Sequence, residues 1–131
     1  MKNNYLLGLV TGIAMLVAMM IVNALFNMLF PSLGSEYVNA VFRPWTDQLM
    51  MAFFLYPFAL GFALTYIWNK TRKSWKSGLE FGLTMALAMA IPSFIVNYSS
   101  FTFSLQMITS WVLSGLIITI VAGLVLGKFE G

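Results

Sequence analysis

From Tyr5 to Phe30 the chain reads "YLLGLVTGIAMLVAMMIVNALFNMLF", apolar almost throughout, with no charged side chain. Three more runs of this kind follow, from about Gln48 to Trp68, from Ser77 to Asn97 and from Ser104 to Gly127. Each is long enough to cross a bilayer as a helix, which takes roughly 18–20 residues. The first would be about 39 Å long, so it needs tilt or projects past the hydrocarbon. One lysine precedes it and no small-residue cleavage site follows, which reads as a retained first helix and not a signal peptide. The expected fold is an all-α integral membrane protein, a four-transmembrane-helix bundle in one membrane domain over residues 1–131.

The pattern also repeats. Residue i matches residue i + 70 at Gly8/Gly78, Leu9/Leu79, Gly12/Gly82, Met15/Met85, Ala18/Ala88, Met19/Met89, Ile21/Ile91 and Asn27/Asn97. The second and fourth runs align more weakly, pairing i with i + 58 at Gln48/Gln106 and Lys70/Lys128. The chain is therefore read as two tandem helical hairpins, over about 5–70 and 75–128, with an external insertion at 31–47. A pseudo-twofold axis along the membrane normal would relate them.

On a wheel of 100° per residue, Asn23 and Asn27 fall close to the Gly8/Gly12 face, and Ser93 and Asn97 close to the Gly78/Gly82 face. Lipid has no use for glycine or carboxamide, so these faces are expected to point into the bundle. The glycine pairs, including Gly123 and Gly127, lie near one set of helix ends and permit close backbone approach. The polar groups, with Gln48, Gln106, Thr109 and Ser110, gather near the other. Pro57 and Pro92 can bend their helices there. The resulting shape is a cup open on its outer side.

Charge sets the orientation. Six of the seven Lys and Arg residues, Lys2, Lys70, Arg72, Lys73, Lys76 and Lys128, flank one set of ends, and Arg43 alone flanks the other. By the positive-inside rule both termini are cytoplasmic in a plasma or inner membrane. The charged fraction is 8%, against about 25% in a soluble domain, so this chain cannot clothe itself against water. A net charge of +3 is too small and too localised to imply nucleic acid.

The chemistry available is narrow. There is no His and no Cys, which excludes disulfides, zinc sites, Fe–S clusters and His-ligated haem within the chain. The ten Met residues are scattered as adaptable packing. No paired carboxylates and no activated nucleophile are present, so neither enzyme activity nor a cofactor is expected. Glu80, four residues after Lys76, reads as a snorkelling ion pair at the interface.

Two accounts fit the outer-half polar residues Asn23, Asn27, Ser93, Asn97, Gln106 and Ser110. They are interhelical glue, or they line a cavity between the first and third spans for an uncharged or amphipathic small molecule or lipid. The insertion "PSLGSEYVNAVFRPWTDQ" spaces Val38, Val41, Phe42 and Trp45 as an amphipathic helix across the mouth. Arg43, Trp45 and Asp47 would form a rim or gate there; a surface ion pair and a helix-start carboxylate are the plainer account. The functional alternative is a non-catalytic accessory subunit of a larger membrane complex. Aromatic lipid-facing residues such as Phe53, Phe54 and Phe58 also allow a homodimer.

Overall fold

The computed structural model describes residues 3–31, 46–101 and 104–130. These residues are helical apart from short connections. Helix α1 is Asn4–Leu29, α2 is Tyr56–Thr71, α3 is Gly78–Ser100 and α4 is Leu105–Glu130. A 3-10 helix, Gln48–Leu55, leads into α2, and a 3-10 turn, Arg72–Ser74, follows it. With those extensions, four helices are long and apolar enough to cross a membrane, and the chain is a multi-pass membrane protein by this measure. The interfacial helix expected over Val38–Trp45 falls outside the described residues.

Short polar side chains start the helices. The Asn3 Oδ1 accepts from the backbone N–H groups of Tyr5 and Leu6 at 2.9 and 3.2 Å. Ser104 Oγ accepts from Met107 N at 3.1 Å. At the start of α3, Ser77 Oγ accepts from Glu80 N at 3.1 Å, and Glu80 Oε2 accepts from Lys76 N at 2.7 Å. The sequence is of the Ser-x-x-Glu kind, but the Glu80 carboxylate reaches one residue past the Ser77 cap. The expected contact with the Lys76 ammonium is replaced by one with its backbone amide, which lies just ahead of the helix cap.

The second span departs from a plain α-helix. Pro57 lacks the N–H that would bond to the carbonyl four residues earlier, and its ring crowds that carbonyl. The chain before it winds as a 3-10 helix eight residues long, beyond the usual three or four. Asp47 begins it by accepting from Leu49 N at 2.9 Å. No residue of this 3-10 segment is buried.

Close packing joins α3 to α4, α1 to α2 and α1 to α4, while α2 touches α4 more lightly. Glycine makes the first two contacts possible. A Cβ on Gly61 would stand 2.8 Å from Gly12 N, 2.9 Å from Gly12 Cα and 3.2 Å from Gly8 O. A Cβ on Gly123 would stand 2.7 Å from Gly82 N and 2.6 Å from Gly82 Cα, and would collide with Gly78 O. The same three atoms are approached in both pairs. Gly8 lies by Gly61 and Phe62 while Gly12 lies by Phe58, so α1 and α2 run antiparallel.

The core sits toward the end that holds the N-terminus and the 72–77 connection. Leu7, Met15, Met19, Leu64, Trp68, Phe81, Ile118, Ala122 and Leu126 form one buried cluster. At its edge the Phe81 ring meets Trp68 and Trp75 edge-on, with centroids 5.2 and 5.4 Å apart. The Trp75 indole N–H donates to Thr71 Oγ1 at 2.7 Å. These aromatics join α2 to α3 where their backbones are not closely packed.

Candidate functional site

Beyond the glycine crossing, α3 and α4 separate. Gly78 and Gly82 lie against Gly123, Gly127 and Ile120. Toward Ser93 and Trp111 a cleft of about 190 Å³ opens between the two helices. It is lined by Tyr56 from α2, Ala86, Met89, Ala90 and Ser93 from α3, and Trp111, Val112, Gly115 and Thr119 from α4. Gly115 helps keep it open: a Cβ added there would meet nothing within 4 Å.

The cleft has a floor and a rim. Ala86 and Thr119 at the floor are each 1% exposed, while Tyr56 and Met89 at the rim are 45% and 40% exposed. Thr119 lies about 21 Å along α4 from Leu105 and about 15 Å from Phe129, near the middle of the span. Its hydroxyl has no hydrogen-bond partner; the only other buried side-chain polar atom in that state among the described residues is Trp68 Nε1. No carboxylate, ammonium or guanidinium lines the cleft, and no cluster of acidic groups suited to a metal ion occurs among the described residues.

A second cleft, about 340 Å³, lies between the end of α1 and the start of α4. Phe26, Phe30, Leu105, Gln106, Thr109, Ser110 and Leu113 line it. Its buried hydroxyl is already engaged: Ser110 Oγ donates to Met107 O at 2.6 Å. Two apolar rings, Phe26 and Phe30, stack 6.4 Å apart along its α1 side.

The expected site residues are therefore divided. Ser93 lines the first cleft, and Gln106 and Ser110 line the second. Asn97 donates through Nδ2 to Ser93 O at 2.8 Å and to Ser93 Oγ at 3.2 Å, within its own helix. Asn23 and Asn27 are exposed on α1 and line neither cleft. Their face was expected to point inward, and the burial of α1 shows why it does not. Leu7, Gly8, Thr11, Gly12, Met15, Met19 and Val22 form the buried stripe. At 100° per residue the centre of that stripe lies about 80° from Asn23 and 120° from Asn27. Gly12, taken as the wheel's origin, stands at its edge. Neither cleft lies between the first and third spans, because both are built on α4. Of the expected rim, Arg43 and Trp45 lie outside the described residues, and Asp47 acts as a helix cap.

Tyr56, Gly115 and Thr119 were not expected as site residues. A single threonine in "LIITIVAG" has the look of one that bonds back to its own helix, and only the divergence of α3 from α4 distinguishes it. Comparison with known proteins finds no matching family model, no matching curated protein and no matching solved structure.

Proposed function

We propose that this chain is a non-catalytic multi-pass membrane protein that binds, and in the fuller form of the reading passes, an uncharged or amphipathic small molecule. The observation that carries the reading is the cleft between α3 and α4, where Tyr56, Ser93 and Thr119 are among the lining residues and no charged side chain is. A polar lining within the spans is costly unless something pairs with it. Thermal melts in lipid nanodiscs, across a panel of small neutral lipophiles, test it. Compounds that bind raise the wild-type midpoint by RT ln(1 + [L]/Kd), about 2.7 kcal/mol at one hundred times Kd. Gly115→Leu, placed into open space, is expected to abolish that shift and leave the unliganded midpoint no lower. Equal responses from the two proteins would move binding out of the cleft and defeat the reading.

One observation favours the accessory-subunit reading as well. Asn23 and Asn27 sit exposed, four residues apart, on an α1 surface that also carries Met20. Carboxamides facing hydrocarbon are better satisfied by a neighbouring helix. Absence of any ligand shift, together with crosslinking of Asn27→Cys to a second chain, would transfer the assignment to that reading.

The architecture is read as two tandem hairpins related by a pseudo-twofold axis. The support is the equivalence of Gly61 over Gly8 and Gly12 with Gly123 over Gly78 and Gly82. That equivalence pairs the second and fourth spans as i with i + 62, one helical turn away from the alignment through Gln48 and Gln106. The orientation with cytoplasmic termini rests on the Lys and Arg distribution. With no native cysteine, an impermeant thiol reagent added outside intact cells is expected to label Thr46→Cys and spare Ser74→Cys. The reverse pattern would invert the topology.

A further inference from the structure

The glycine crossing gathers positive charge from both hairpins at one end of the bundle. Lys70 sits in the last turn of α2, and Arg72, Lys73 and Lys76 lie in the connection to α3; all four side chains are exposed. A fifth cation comes from α4. A Cβ on Gly127 would stand 2.8 Å from Gly78 Cα, so α4 delivers the exposed Lys128 beside the start of α3, two residues after Lys76. Glu80 is the one acidic side chain described at this end, and its Oε2 accepts from Lys76 N at 2.7 Å. With Lys2 and Glu130 added, the sequence places six cations here against two carboxylates.

The connection that carries these charges is braced. Trp75 Nε1 donates to Thr71 Oγ1 at 2.7 Å, that hydroxyl donates to Ile67 O at 2.7 Å, and Trp75 N donates to Arg72 O at 3.2 Å. A partner therefore meets cations on backbone that is already ordered. Apolar surface adjoins them: Lys70 Nζ lies 5.7 Å from the centroid of the exposed Tyr66 ring, and Lys128 Nζ 6.0 Å from that of the exposed Phe129.

We infer that this end of the bundle is a docking surface for the headgroup of an anionic phospholipid, held by the cations of the 72–77 connection together with Lys128. The partner follows from charge complementarity and from place. The patch stands where four apolar spans end, at the level of lipid phosphates, and a juxtamembrane Lys or Arg strengthens binding to an anionic leaflet by about fivefold. The positive-inside rule counts cations on a side without regard to whether they meet. Here the crossing that sets Lys128 beside Lys76 makes one surface of them. The inference is independent of the cleft and holds for whichever leaflet this end occupies.

Protein in nonionic micelles, titrated with phosphatidylglycerol and read by the rise in melting midpoint, tests it. Phosphatidylglycerol is expected to stabilise the wild type and phosphatidylcholine to do so far less. Lys73→Gln combined with Lys76→Gln removes two exposed ammonium groups and keeps the Lys76 backbone N–H. It is expected to need about 25-fold more phosphatidylglycerol for the same shift, with its lipid-free midpoint unchanged. Four Lys and Arg residues still flank this end against Arg43 at the other, so its pattern in the thiol labelling above is expected to stay that of wild type. Arg43→Gln is expected to leave the titration within about twofold, since a span of about 30 Å exceeds the screening length of about 10 Å. A double variant that binds like wild type, a loss of about fivefold or more in Arg43→Gln, or equal shifts from the two lipids would overturn the surface. An equal shift from free glycerophosphate at the same concentration would overturn the lipid as its occupant.

Discussion

Gly123→Ala is expected to destabilise the protein by about 2–3 kcal/mol, while Gly115→Ala, eight residues earlier on the same helix, leaves it as stable or raises it by up to about 1 kcal/mol. The substitution is chemically identical in the two cases; only the neighbours differ. The new methyl at 123 would run into the Gly78 carbonyl oxygen and stand 2.6 Å from Gly82 Cα, all backbone atoms that cannot rotate aside. Relief requires α3 and α4 to part along their most extensive contact. In a bilayer that contact depends on van der Waals fit, because lipid tails are as apolar as the side chains they would replace. At 115 the methyl meets open space, and the helix gains from a less flexible residue. Reversible unfolding in mixed micelles, with each variant beside wild type, checks the pair. Equal losses at the two positions would mean that the crossing is not as close as the structure has it.

Those glycines also mark how far the sequence could be read. The four spans were legible, their starts to within a residue and their ends to within one to six, because long uncharged runs admit little besides a membrane helix. Their starts were legible where a polar cap stood before the run, as at Ser77 and Ser104. The second span was legible in extent but not in winding. A proline can open a helix or kink it, and here the preceding segment took the 3-10 form. The candidate site was much less legible. Asn23 and Asn27 attracted attention by type, yet a wheel on one helix cannot give the direction of its neighbours. That direction is set by α2 and α4, which cover the stripe through Met15 and Met19 instead. Thr119 and Gly115 drew none, since each is ordinary in an apolar run. They become a site only because α3 leaves α4 after the glycine crossing. Ser93 occupies the place of Asn23 in the repeat, yet it lines the cleft for that different reason.

Phe81→Ala is expected to cost about 3–5 kcal/mol, whereas Trp68→Phe, its contact partner, stays within about 1.5 kcal/mol of wild type. Phe81 is fully buried, and its ring meets both Trp68 and Trp75 edge-on at 5.2 and 5.4 Å. Removing it leaves a hole at the place where α2 and α3 are joined through side chains and not through close backbone packing. Little nearby can collapse into the gap: Leu7 and Leu64 are already buried in the cluster, and Trp75 is tied to Thr71. Trp68 is different because its indole N–H is buried without a partner. Phenylalanine there forfeits some ring area and an edge contact of about 0.5–1.5 kcal/mol, but it also removes an unsatisfied donor whose burial costs about 1–3 kcal/mol. The two terms nearly offset. The consequence reaches the cleft, since Tyr56 on its rim is carried by the helix that ends at this aromatic joint. Loss of Phe81 should therefore let α2 swing and weaken the cleft-dependent shift in the nanodisc melts, while Trp68→Phe preserves it. Unfolding titrations and ligand melts on both variants measure the two effects together. A Phe81→Ala protein as stable as wild type, or a Trp68→Phe protein that loses several kcal/mol, would show that the joint does not hold α2 against α3.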